Sequence, residues 1–262
     1  MATPEPASWP RPYYSRGEGK AMLLFFVFGT FPEALELNVA RYGSAGLPAG
    51  VEMHRFDKQT LAHWEGHPLR GAIGELLRED DPHTFKLARE ASECIMLRGE
   101  LDDPPTLDYL RDTLGVIAAL LDVGGIAVVD PQILSLFAPR AWGERYLIEG
   151  GAPPRAHALI LCHDEDDGSA WVRTRGMRKF ARPDISLRNV PKAEVDRAGA
   201  LAEHLLELEA MGMRFADGTT LEVDGLPPTA PSMAKSSLVA RHGGSLEDPQ
   251  FNNTHVEFDW PK

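Results

Sequence analysis

Five basic residues occur within ten positions in the second half of a chain where acids outnumber bases by 39 to 27. The guanidinium group of arginine presents a planar fork of N–H donors that matches a carboxylate or a phosphate. The cluster predicts a binding site for an anion or an acidic partner, formed by Arg173, Arg175, Arg178, Lys179 and Arg182. A structural role is the alternative, because four acids in the turn of the same predicted hairpin can pair with some of these bases: Asp164, Glu165, Asp166 and Asp167.

Two groups of residues have side chains of the types that bind metals. His255, Glu257 and Asp259 alternate along a predicted strand, where same-face neighbours stand about 6.6–7 Å apart, too far to share one ion easily. His63 and His67 are four positions apart, but Gly66 and Pro68 weaken the helix that would place them on one face. We therefore predict no metal site and no cofactor.

The sequence Cys162–His163–Asp164 contains the residue types of a nucleophile, a base and an orienting acid. Adjacent side chains on a strand point to opposite faces, so these groups cannot easily meet, and we expect Cys162 to be a buried, inert thiol. The sequence has no G-x-S-x-G, P-loop or G-x-G-x-x-G motif, which leaves serine-hydrolase, P-loop and Rossmann functions without support.

Strands and helices alternate along the chain. Apolar runs at 21–28, 94–101 and 125–129 predict strands, and residues 31–42, 58–64 and 71–78 predict short helices. Leucine and isoleucine at intervals of three and four predict amphipathic helices from 107 to 121 and over 192–211. Residues 157–163 and 170–175 predict a hairpin, residues 226–231 a proline-rich link, and residues 255–260 a last strand.

These elements predict an α+β fold, with a mixed, mostly antiparallel sheet and two main amphipathic helices on one face. Two similar α/β subdomains are an alternative arrangement. We predict a flexible, proline-rich arm over residues 1–20 and two α+β halves, 21–149 and 150–262, packed as one globular unit. The Gly/Pro-rich stretch 150–154 separates the halves.

The net charge of −12 argues against nucleic acid and anionic membranes as partners, because the long-range field would repel both. Two cysteines are too few for a disulfide framework, which favours a cytoplasmic protein. The longest apolar run is less than half the length that a membrane-spanning helix needs.

Three segments resemble uncharacterised bacterial proteins known only as domains of unknown function. They are WVRTRGMRKFARPD at 171–184, GGIAVVDPQ at 124–132 and DPQFNNTHVEFDWP at 248–261. The resemblance covers about the last two thirds of the chain. Such proteins are similar in outline to immunity or accessory proteins of bacterial conflict systems, which bind another protein, and the resemblance implies no catalytic residue.

The sequence therefore favours a cytoplasmic protein that binds another protein, with its acidic surface complementary to a basic partner. The alternative is an enzyme that acts on a small anionic substrate. In that case Arg173, Arg175 and Arg178 would hold the anion, and His163 or His255 would be the acid–base group.

Overall fold

The computed structural model describes residues 6–223, 236–247 and 252–260. Residues 1–5 of the predicted arm and the predicted link 226–231 lie outside these ranges. Within them the strands are β1 (Lys20–Gly29), β2 (Val51–Phe56), β3 (Glu93–Asp102), β4 (Gly125–Asp130), β5 (Ser135–Phe137), β6 (Leu159–Asp164), β7 (Ser169–Arg175), β8 (Asp184–Pro191), β9 (Thr220–Val223), β10 (Ser236–Val239), β11 (Arg241–Ser245) and β12 (Asn253–Asp259). The helices are α1 (Lys58–His63), α2 (Gly71–Asp80), α3 (Pro82–Glu90), α4 (Asp108–Asp122), α5 (Pro139–Tyr146) and α6 (Val195–Ala210).

The first sheet has the antiparallel order β2-β3-β1-β4-β5. Its central strand β1 sends Phe25 and Val27 to one core, where they pack with α4 and α5. Phe26 and Phe28 point to the other face and pack with α1, α2 and α3. Both faces are covered, which explains why the sequence of β1 is apolar without alternation.

The second sheet has the order β11-β12-β8-β7-β6, and only its β12–β8 pair is parallel. Helix α6 covers one face through Leu201 and Leu205, which pack on Val172, Leu187 and Phe258. Strands β9 and β10 form a separate two-stranded sheet. Val256 and Phe258 of β12 belong to this core, as expected from the alternation in β12.

The predicted α+β class with mostly antiparallel strands is confirmed. The strands divide between two five-stranded sheets, so each of the two predicted amphipathic helices covers a sheet of its own: α4 the first and α6 the second.

The short helix predicted over 31–42 is wrong, since only a 3₁₀ turn at Val39–Tyr42 forms there. The side chain of Arg55 on β2 donates to the carbonyl oxygens of Phe31 (2.8 Å) and Pro32 (2.7 Å), and the Phe31 amide donates to Glu93 (2.8 Å). These tertiary contacts occupy backbone groups that helical bonds would otherwise use.

A buried carboxylate joins the two halves of the chain. Asp103 Oδ1 accepts a hydrogen bond from Arg11 Nη1 and another from Arg182 Nη1, each at 2.8 Å, and Oδ2 accepts from the Gly17 amide at 2.6 Å. The side chains of Asp103, Arg11 and Arg182 are at most 1% exposed. The same two arginines donate to the carbonyl oxygens of Phe180, Ala210 and Gly212.

Residues 6–19 of the predicted arm lie against both halves in the structure. Besides the bonds of Arg11, the Tyr13 amide donates to the Met211 carbonyl, and the Tyr14 hydroxyl donates to the Asp103 carbonyl. The first core also contains residues from beyond position 150, among them Met177 and Phe180. The division into an arm and two halves stays a prediction.

We expect Asp103→Asn to lower the free energy of unfolding by about 3–5 kcal/mol, because it leaves the charges of two buried arginines without their carboxylate. Urea denaturation followed by circular dichroism measures the loss. The neighbouring substitution Asp102→Asn is the control: its side chain is 76% exposed and lies 3.8 Å from Lys20, a surface pair worth about 0–1 kcal/mol. Equal effects of the two substitutions would contradict a structural role for Asp103.

Candidate functional site

The five basic residues of the predicted site do not form one patch. Lys179 is fully buried in the core, where its ammonium group donates to Asp130 Oδ2 at 2.5 Å. Arg182 is buried against Asp103, Arg173 and Arg175 lie on β7, and Arg178 is half-buried beside Glu100 at 3.2 Å. The structure brings Arg178 and Arg182 to one cleft and leaves the other three elsewhere.

The segment from Gly176 to Ala181 decides where Arg178 and Lys179 point. Gly176 has φ +117°, and a Cβ there would lie 2.8 Å from the His157 carbonyl oxygen, so a side chain does not fit. The 3₁₀ turn Met177–Phe180 follows, and it ends at Ala181 in the left-handed region with φ +55°. The tight turn sends Lys179 into the core and Arg178 toward the cleft.

Two of the four acids of the predicted hairpin turn pair with bases outside the cluster. Asp164 lies 3.0 Å from Lys192, and Glu165 lies 2.7 Å from Arg188. Two residues before Asp164 on β6, Cys162 is exposed, so the prediction of a buried thiol is wrong. Among the strands of the described residues, β6 is an outer strand of its sheet.

The face of the second sheet opposite α6 carries an aromatic and charged array. The guanidinium carbons of Arg173 and Arg188 lie 4.5 Å and 3.7 Å from the centre of the Trp171 ring. His163 Nε2 lies 3.4 Å from Arg173 Nη2, so folding brings the predicted acid–base residue and one predicted anion-binding residue together. Arg173 itself is only 8% exposed, and it stabilises the indole as a cation–π partner.

The cleft lies where the two halves meet and has a volume of about 540 Å³. Residues from the start of β1, from the 177–183 segment, from the end of α6 and from β11 and β12 form its walls. Its charged lining consists of Glu18, Lys20, Glu100, Arg178, Arg182, Glu209 and Arg214. Small-molecule sites are usually concave clefts of about this volume.

The arginines of the cleft differ in the donors they have left. All five N–H groups of Arg182 are used, by Asp103 and by the carbonyls of Ser15, Ala181, Gly212 and Met213. Within the described part of the chain, Arg214 donates one bond, to the Arg16 carbonyl, and Arg178 donates one, to Glu100. Arg182 therefore supplies a fixed charge, while Arg178 and Arg214 have donors for a ligand.

Two of the guanidinium groups are neighbours. A Cβ placed on Gly17, in the cleft wall, would lie 3.4 Å from Arg214 Nε and 3.6 Å from Arg182 Nη1. The positive charges of Arg182 and Arg214 thus meet on the same side of the cleft, beside the N-terminal segment.

Glu209 is a fully buried carboxyl group that lines this cleft. No hydrogen-bond donor of the described residues reaches either of its carboxyl oxygens. Burial raises the pKa of Glu209 well above its usual value, and the Arg182 charge only partly opposes the shift. Sequence analysis missed this residue, although the signal was present: Glu209 is four positions after Leu205 on the buried stripe of α6.

Other buried charged groups lie in the core behind the cleft. Burial lowers the pKa of Lys179 and raises that of Asp130, and their mutual attraction opposes both shifts. Burial likewise raises the pKa of Asp184 to about 6, although Asn253, Thr174 and the Met177 amide donate hydrogen bonds to its carboxylate. These groups hold the cleft walls together and do not face the cavity.

Comparisons with protein-family models, curated proteins and solved structures found no match for this chain. The resemblance to bacterial domains of unknown function therefore stays a prediction. Across the described ranges, no three His, Cys, Asp or Glu side chains are grouped to hold a metal ion. Among the helices of the same ranges, none is long and apolar enough to cross a membrane.

His157 should make the protein less stable in mild acid. The ring is 1% exposed, and burial together with the nearby charges of Lys179 and Arg145 lowers its pKa well below 6.5. Below pH 6.5 the unfolded chain binds a proton on this ring that the folded chain excludes, so the free energy of unfolding falls as the pH drops.

We expect His157→Phe, which keeps the ring contacts with Tyr146 and Phe180 at 5.0 and 5.8 Å, to make that fall shallower by up to about 1.4 kcal/mol per pH unit. Urea denaturation between pH 7 and pH 5 measures the slope. His63→Gln, on the exposed side of α1, controls for the loss of a histidine. An unchanged slope in the Phe variant would contradict this assignment.

Proposed function

We propose that this protein binds a small anionic ligand, a carboxylate or phosphate compound, in the cleft between its two halves. The observation that carries the proposal is the meeting of three guanidinium groups, those of Arg178, Arg182 and Arg214, in one cleft of about 540 Å³. This concentration of positive charge contrasts with the net charge of −12 of the whole chain.

Arg182 contributes a fixed positive charge to the cleft, and Arg178 and Arg214 contribute hydrogen-bond donors. Arg182 is held by five hydrogen bonds, so its charge is in place before the ligand arrives. Such preorganisation reduces the entropy lost on binding. Arg178 and Arg214 then supply N–H groups, in the fork geometry that carboxylate and phosphate oxygens match.

Two of the three acids that line the cleft, Glu100 and Glu209, do not block an anion. Glu100 is the partner of Arg178 at 3.2 Å, and its side chain is 42% exposed. An exposed pair of this kind is worth about 0–1 kcal/mol, so a ligand can displace Glu100 at small cost. Burial favours the neutral form of Glu209, which removes its repulsion.

We expect Arg178→Gln and Arg214→Gln each to weaken binding of phosphate or succinate by about ten- to a hundredfold, since each removes a charge-assisted hydrogen bond of about 1.5–3 kcal/mol. Isothermal titration calorimetry at constant ionic strength measures the affinity. Arg140→Gln is the matched control, because Arg140 is exposed on α5 and pairs only with Glu144. Wild-type protein that shows no saturable binding, or equal losses in all three variants, would refute the proposal.

The expected binding of a basic protein partner through the acidic surface stays a prediction beside this proposal. The two functions respond differently to charge reversal in the cleft. Arg214→Glu should abolish binding of the small anion, whereas a basic partner recruited through acidic surface should remain bound. Capture of partners from a lysate with both proteins, at low and high salt, compares the two.

A further inference from the structure

Glu209 lies at the end of α6, one residue before its last, and its side chain belongs to the buried stripe of that helix. The residue is 0% exposed, yet it lines the cleft. Neither carboxyl oxygen has a hydrogen-bond partner among the described residues. Buried polar groups in proteins are almost always hydrogen-bonded, so this carboxyl group is suited to a partner that enters the cleft.

The surroundings of Glu209 decide which charge state it brings to such a partner. The charges of Arg182 and Arg214 favour the carboxylate, but neither arginine donates a hydrogen bond to it: Arg182 has no N–H group left, and Arg214 donates to the Arg16 carbonyl. The carboxyl group also lies at the C-terminal end of α6, where the helix dipole disfavours negative charge. The other titratable or charged residues that line the cleft are Glu18, Lys20, Glu100, Arg178 and His242. Asp184 on β8 also acts on Glu209 through its charge.

Burial outweighs the charges of Arg182 and Arg214, which lower the pKa of Glu209, and so favours the neutral acid. Asp184 adds negative charge on the far side of Glu209, and it opposes ionisation together with burial. His242 has a ring nitrogen bonded to the Phe215 carbonyl at 2.6 Å, so the ring is oriented away from a bond with Glu209. A neutral carboxylic acid has one O–H group, which can donate a hydrogen bond to an oxyanion. It cannot donate to an ammonium group, which has no acceptor.

We propose that Glu209 determines the specificity of the cleft, because its protonated carboxyl group donates a hydrogen bond to the bound anion and thereby couples anion binding to one proton. This inference rests on the proposed function of the cleft. Below the pKa of Glu209 the proton is already present and none is taken up. Above that pKa, the carboxylate takes one proton from solvent for each anion bound, and the affinity falls with rising pH.

Sulfate is the probe for the test, since it stays a dianion between pH 5 and pH 9 and contributes no proton of its own. Calorimetric titration across this range, in two buffers with different enthalpies of ionisation, gives both the affinity and the number of protons taken up. Wild-type protein should lose about tenfold in affinity per pH unit above the pKa of Glu209, with uptake approaching one proton.

Two substitutions of Glu209 distinguish the effect of its hydrogen bond to the anion from the effect of its protonation. Glu209→Gln keeps a donor that does not titrate, so it should retain the affinity at low pH and abolish the pH dependence and the proton uptake. Glu209→Leu removes the donor and should weaken sulfate binding about tenfold at low pH. Glu203→Gln, on the exposed side of α6 and 4.0 Å from Arg155, is the matched control and should behave as wild type.

Several outcomes would overturn the inference while leaving the proposed function intact. Sulfate binding that depends on Arg214 but is unchanged in both Glu209 variants would remove Glu209 from the site. Wild-type affinity that rises with pH, or proton release on binding, would show that Glu209 acts as a carboxylate. Sulfate that fails to bind wild-type protein would refute the proposed function as well. The wild-type proton uptake needs no variant, so the inference can be tested even if a variant does not fold.

Discussion

The carboxylate of Asp103, buried between Arg11 and Arg182, is the interaction on which the arrangement of the molecule depends. It stands just after β3, and its partners come from the N-terminal segment and from the segment before β8. A buried ion pair adds little net stability over well-packed apolar groups, but removing one member is costly. Its effect is therefore to fix which segments meet, and the cleft is the space that remains beside them.

The same ion pairs explain how an acidic protein maintains a cationic cleft. Asp103 neutralises one of its two arginines, so the group of three keeps one positive charge near the cleft wall. Arg182 points its charge there but has no donor to spare, whereas Arg214 and Arg178 have donors available. Glu209 completes the cleft as a neutral acid because it is fully buried. Thus Arg182 supplies a fixed charge, Arg178 and Arg214 supply hydrogen-bond donors, and Glu209 supplies the acid.

Local patterns predicted the elements whose formation depends on neighbours in sequence. The periodicity of α4 and α6 and the alternation in β12 correspond to buried faces in the structure. Prediction failed where a distant contact dominates. Arg55 holds residues 31 and 32 out of a helix, and α5, which buries Trp142 and Tyr146, has too short a pattern to stand out.

The sequence by itself determined the α+β class, the two amphipathic helices and a concentration of basic residues between 173 and 182. Only the tertiary structure decided which of those bases face a cavity. Lys179 is adjacent to Arg178 in sequence, yet the 3₁₀ turn buries the first against Asp130 and leaves the second beside Glu100. Arg214 and Glu209 enter the cleft from more than 25 positions away. The physical reason is that burial and pairing depend on groups far apart in the chain, which spacing along the sequence does not encode.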